Sequence, residues 1–206
     1  MNLQMNTVRG WLFQAKLDDL RRAYSAARKS CDQDRARLEE QWTAFEAEVD
    51  AGTAAFHEED EDEQVIYDYS EHFGDTNAEI ESALSLVRQS FVISLHHLWE
   101  RETNKFMKTK KYHAKRTYRA LETEGLPVQR DELERLRLTC NVAKHSEGGS
   151  ANDLFASHPE MFKLDDAEDK PAYDNLIVTD ADLDSFFACV KNSGFQRQSP
   201  FRADTP

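Results

Sequence analysis

Three polar side chains recur at four-residue steps in one short segment: Arg137, Asn141 and His145. On a helix, at about 100° per residue, they form a ridge along one side. The apolar stripe Leu133, Leu136, Cys140 and Ala143 runs beside it. The combination suits acid/base work on a phosphate. An imidazole exchanges protons near neutral pH, a guanidinium stabilises phosphate oxygens, and an amide can orient either group. Lys144, seven residues on from Arg137, projects close to it and adds a second cation. A helix C-terminus favours the imidazolium by a few tenths to about 1 kcal/mol. Gly148 and Gly149 follow and allow close backbone approach. A plainer reading stays open: Lys and His are ordinary in a last helical turn, and Arg137 is placed to pair with Glu134, three residues back.

A second candidate is a basic stretch. Arg101, Lys105, Lys108, Lys110, Lys111, Lys115, Arg116 and Arg119 fall in nineteen residues, with Tyr112, His113 and Tyr118 interleaved. Such a strip can follow RNA phosphates while tyrosines stack on bases. It can equally be a solvated helix face, or pair with the acidic block at Glu58–Glu63 in the same chain or in another copy. No cofactor and no metal are expected. His96 and His97 are adjacent and so point to different sides of a helix, and no HxxxH or HExxH spacing exists. His97 and Glu100 suit a dimer interface instead. The acidic block lacks the spacing and central Gly of a calcium loop. Cys31, Cys140 and Cys189 are far apart and form no CxxC, which predicts free thiols in a reducing compartment. Ser94 and Ser146 lack a nucleophile elbow.

The stretch RLRLTCNVAKHSEGGSANDLFASHPEMF, at 135–162, resembles the signature region of the HEPN superfamily, helical-bundle proteins of prokaryotic toxin and phage-defence systems. SFVISLHHLWERETNKFM, at 90–107, is similar to the preceding bundle helix of that family, and LIVTDADLDSFFACVKN, at 176–192, to its closing helix. The resemblance covers about residues 78–192. It implies an up-and-down bundle, a homodimer, and metal-independent cleavage of RNA at the dimer interface with the ribose 2′-OH as nucleophile. The family motif is Arg, a polar residue, four to six residues, then His. His145 matches the motif His and Asn141 the polar position. Cys140 stands where the motif Arg would be, so Arg137, one turn earlier, and Lys144 are the nearest substitutes, and the Asn-to-His gap is shorter than the family's. In these roles His145 is the acid/base, Asn141 orients it, and Arg137 and Lys144 hold phosphate. Lys108, Lys110, Lys111, Lys115 and Arg116 would bind the RNA. The alternative implied by the family is a non-catalytic module that binds RNA or a protein partner, such as an antitoxin or a defence component.

The elements that must position these residues are helices. Residues 7–50 carry apolar side chains at three- and four-residue steps, from Trp11 to Val49, and predict one long helix or a helical hairpin. Between Asp32 and Asp75 sixteen acids face two arginines, so His57–Gln64 reads as a solvated loop or helix end. Thr76 and Glu79 can form a capping box. Ile80, Leu84, Val87, Phe91, Leu95, Leu98 and Trp99 make a helical stripe that continues, with a break, towards Leu121 before Gly125 and Pro127 stop it. A helix follows at 131–145. NLIVT at 175–179 is β-prone, and Asp180 can cap a last helix to Lys191. The predicted fold class is all-α: a helical arm at 1–56, an acidic connecting segment at 57–75, a HEPN-like bundle at 76–192 and a tail without structure at 193–206. The net charge of −13 argues against broad nucleic-acid binding without excluding a local basic site. No apolar run reaches the ~20 residues of a membrane helix, and the N-terminus lacks a signal-peptide core, so the expected setting is cytoplasmic.

Overall fold

A computed structural model describes residues 3–166 and 168–195, with side chains from Val8 onward. The protein is an all-α helical bundle with a single β-hairpin among the described residues. The helices are α1 (Leu3–Asp50), α2 (Tyr69–Met107), α3 (Ala114–Thr123), α4 (Arg130–His145), α5 (Gly149–Ser157) and α6 (Asp180–Asn192). The strands are β1 (His57–Glu59) and β2 (Val65–Asp68). No helix is long and apolar enough among the described residues to cross a membrane.

α1 is one helix, which settles the choice between helix and hairpin. Residues 11–51 contain neither Gly nor Pro, and short-range pairs such as Arg28–Asp32 support the exposed faces. Packing groups the residues differently from the sequence-based division. One compact unit takes the chain through Tyr24 and again from Arg88; the other is Ser25–Val87.

In the first unit α4 is the central element. Leu133, Leu136, Leu138, Thr139, Cys140 and Val142 are all buried, a wider band than the stripe read from the sequence. α5 and α6 pack on α4. Trp99, Phe13, Phe186, Phe187, Leu121 and Leu154 fill the interior around it. Arg135 lies over the Phe186 ring, 4.7 Å from its centroid, and pairs with Glu132 and Asp182 at 2.7 and 3.1 Å. α6 is capped by Thr179, whose hydroxyl accepts from the Asp182 amide, rather than by Asp180. Asp180 is used elsewhere: Arg88 Nε and the Tyr24 hydroxyl both donate to it. The β-prone NLIVT contributes one isolated bridge, Phe162 to Leu176.

The tail expected at 193–206 lies outside the described residues from 196 on. Its first three residues are buried. Ser193 Oγ accepts from the Gln129 amide at 3.0 Å, the Gly194 amide donates to the Pro127 carbonyl at 2.7 Å, and Phe195 packs edge-on to Phe13 and Phe106. Gly194 has φ +68°, and a Cβ there would sit 3.1 Å from the Trp99 ring. Conformation and space therefore both ask for glycine.

In the second unit the acidic block is not a plain loop. Asp60 Oδ1 accepts from the amides of Asp62 and Gln64, both at 2.9 Å, and turns the chain into the β1–β2 hairpin. α2 begins seven residues before the predicted cap. Asp68 Oδ1 accepts from the Ser70 and Glu71 amides, while Thr76 donates back to the His72 carbonyl inside the helix. Aromatic rings gather between helix and hairpin: Trp42 stacks on Phe73 at 4.6 Å, and Phe45 meets Tyr69 at 4.8 Å. Among the described residues of this unit, Leu84 alone is fully buried.

Candidate nucleic-acid interface

α4 carries the predicted ridge on a well-charged helix. Asp131 and Glu132 lie in its first turn and Lys144 and His145 in its last, the arrangement a helix dipole favours. Arg137 and Asn141 of the ridge, and Lys144 beside it, turn to different partners. Arg137 donates twice to Glu134, from Nε at 2.9 Å and Nη2 at 2.6 Å. That bond raises the guanidinium's pKa and holds the Glu134 carboxyl below its ordinary range. Asn141 Nδ2 donates to Ser150 Oγ on α5 at 3.1 Å. Lys144 Nζ lies 3.3 Å from His97 Nε2 on α2. His145 is exposed and has no hydrogen-bond partner among the described residues. Arg137 and His145 are about 12 Å apart along the axis, at 1.5 Å per residue. One protomer thus places the ridge on one helix without bringing guanidinium, amide and imidazole to a common point.

The backbone after His145 is unusual. Ser146 has φ 60° and ψ −121°, a conformation that favours glycine, and its hydroxyl accepts from the Tyr173 amide at 3.2 Å. Here, rather than at Gly148 and Gly149, α4 ends; Gly149 instead opens α5.

The basic strip is held by the junction of α2 and α3. α2 ends in a Schellman motif: the Thr109 amide donates to the Asn104 carbonyl at 3.1 Å and the Lys108 amide to the Lys105 carbonyl at 3.4 Å. The same pairings end α1 and α3, where Gly52 and Gly125 take the left-handed position. On α2 that position is Lys108, with φ 51°. A lysine there costs roughly 1 kcal/mol relative to glycine. Lys108→Gly is therefore expected to raise stability by about 0.5–1 kcal/mol in urea unfolding. Lower stability would mean that the lysine side chain has a structural role.

Lys108, Lys110, Lys111, Lys115 and Arg116 are exposed, and their side chains have no hydrogen bond or ion pair among the described residues. Lys105 differs, because it donates to Glu102 at 3.1 Å. Two hollows flank the strip. One, of about 610 Å³, is lined by His97, Glu100, Arg101, Asn104, Lys108 and Lys110, among others. The other, of about 400 Å³, is lined by Tyr112, His113, Lys115, Glu134 and Arg137. The second hollow brings Arg137, alone of the ridge, next to Tyr112, His113 and Lys115 of the strip.

The tyrosines do not serve as the sequence suggested. Tyr118 is buried, and Tyr112 accepts from Trp99 Nε1 at 3.1 Å and donates to the Tyr118 hydroxyl at 3.5 Å. Burial raises the pKa of both hydroxyls. They support the hollow from behind, leaving Tyr118 unavailable for stacking on a base. His96 and His97 point apart, as adjacent helical residues must. His96 is buried against Tyr112, with both ring nitrogens lacking partners. Burial, then the charges of His97, Arg137 and Lys144, lower its pKa to about 4. The residues missed by sequence reasoning are Asn104 and Ser150. Neither carries a local signal, because each is defined by a neighbour on another element.

Fold and site define an all-α bundle protein with an uncovered cationic face. Comparison with protein-family models, with curated proteins and with solved structures finds no match.

Proposed function

We propose that the protein binds RNA through this cationic face, as a HEPN-like module in a cytoplasmic toxin or phage-defence setting. One observation carries the reading. Five cationic side chains stand without partners along one junction, beside two hollows, in a chain whose net charge is −13. Exposed cations held in no ion pair are what a phosphate backbone requires. The ridge does not converge within a protomer, which favours binding over chemistry.

A second reading is metal-independent endoribonuclease activity, supported by the exposed His145 at the end of α4 with Lys144 beside it. There the reacting groups would come from two copies of α4 in a homodimer, and an antitoxin or defence component would be the protein partner. One experiment separates the two. Purified protein is mixed with labelled single-stranded RNA and tRNA in EDTA. Binding through five phosphates is expected to weaken about a hundredfold between 50 and 200 mM salt, with the RNA intact. Cutting that His145→Ala abolishes would establish the enzyme instead. Absence of both binding and cutting would remove the RNA reading.

A further inference from the structure

The two units differ sharply in charge. Ser25–Val87 holds 18 acidic and 4 basic residues, a formal −14. The rest of the chain holds 21 acidic and 22 basic residues, a formal +1. The exposed apolar side chains are divided in the same way. Of the nine large ones, Phe56, Val65, Ile66 and Tyr67 sit at the hairpin, and Val8, Trp11 and Leu12 on α1 in the first unit. Seven of nine therefore fall on two patches.

The hairpin patch is apolar and acidic. Val65 is 57% and Ile66 62% exposed, on a strand that pairs, among the described residues, with β1 alone. Glu58–Glu63 is an unbroken run of six acids immediately before it. The α1 patch is apolar and basic. Leu12 is 46% exposed in the wall of a groove of about 240 Å³ that it forms with Phe13, Phe106 and Phe195. Arg9, Lys16 and Lys105 stand at the rim of that groove. Glu102 lies between Lys16 and Lys105 at 2.8 and 3.1 Å, so the rim keeps an excess of positive charge.

We infer that these patches are the two halves of one contact between copies of this chain: the hairpin of one copy, led by Val65, Ile66 and Tyr67, docks in the α1 groove of a second, with its acids against Arg9, Lys16 and Lys105. Each half has what the other lacks, apolar area matched to apolar area and acid to base. Complementary fields of this kind set partner choice and association rate. Exposed apolar patches of this type on soluble chains mark interaction sites. The contact also covers the open edge of β2, which otherwise offers a template for uncontrolled pairing.

Sedimentation velocity of the full chain, freed of RNA, tests the contact. At about 100 μM and low salt the protein is expected to self-associate reversibly, and about 0.5 M salt should weaken this at least tenfold. Ile66→Asp and Leu12→Asp should each leave a monomer with unchanged circular dichroism, since both side chains are exposed. A charge swap supplies the decisive arm. Glu61→Lys/Glu63→Lys and Arg9→Glu/Lys105→Glu should each be monomeric alone and associate when mixed. A wild-type monomer at low salt would overturn the inference and leave the hairpin to a different protein. Association that persists in both aspartate variants, or a mixture that stays monomeric, would overturn it as well. Because RNA is absent, the result does not depend on whether the Lys108–Lys115 strip binds it.

Discussion

Reversal of Lys108, Lys110, Lys111 and Lys115 to glutamate is expected to lower RNA affinity by several hundredfold at about 0.1 M salt. Each phosphate contact to single-stranded RNA contributes about 0.7 to the slope of log affinity against log salt. Losing four contacts should flatten that slope by roughly 3. The four side chains are exposed and make no hydrogen bond or ion pair among the described residues, so the reversals break none of the fold's direct contacts. They move the formal charge from −13 by two at each position, to −21. Fluorescence anisotropy across a salt series reads both quantities. A tenfold loss with an unchanged slope would mean that only long-range repulsion had been added, and RNA would have to lie elsewhere. Arg116→Glu alone should behave as one quarter of the set.

The second large effect concerns acid stability. His96 is buried with neither ring nitrogen satisfied, near His97, Arg137, Lys144 and Glu134. In the unfolded chain an imidazole takes up its proton near pH 6.5. In the fold it does so only near pH 4, chiefly because burial disfavours the cation. The folded pKa lies below the unfolded one, so the unfolded state binds more protons throughout this window. Stability should be constant above pH 6.5, fall as pH drops towards 4, and lose about 3 kcal/mol over that interval. Other groups titrate there too, including Glu134, whose lowered pKa is set first by its bond to Arg137. The comparison therefore uses His96→Leu, which removes the buried imidazole and keeps the remainder. Chemical unfolding at several pH values should give curves that diverge between pH 6.5 and 4, with the variant the flatter. Parallel curves would mean that water or a partner reaches the imidazole in the folded protein.

Much of the helical framework could be read directly from residue types. The spans of α4 and α6 follow from a short apolar period, whereas their ends are set by Ser146 and Thr179 and not by the glycines and the aspartate that the sequence offered. The hairpin could not be read in this way. Six consecutive acids mask the short β-prone run Val65–Tyr67, and the turn depends on one side chain, Asp60, accepting two amides. The start of α2 moved for a related reason. Asp68 and Thr76 are both competent caps, and the hairpin decides between them by delivering the chain at Asp68. In the site, the Arg137–Glu134 pair was legible because it is local, three residues apart on one helix. The turns of Asn141 to Ser150 and of Lys144 to His97 were not, because α5 and α2 supply the partners and periodicity along α4 says nothing about either. Tyr118 shows the converse error. Interleaving with lysines suggested exposure, but α3 rotates that position into the core.

The Gln14 side chain donates to the carbonyls of Lys191 and Phe195, at 3.1 and 3.2 Å, across 177 and 181 residues of sequence. That clasp dictates an order of events during synthesis. Gln14, on α1, leaves the ribosome well before the two carbonyls it holds, which follow 177 and 181 residues later. At 5–20 residues per second the delay is roughly ten to forty seconds. Phe13 and Tyr24 meet Trp99 and Phe91 of α2 within that interval, so the clasp closes a packing that α2 has already begun.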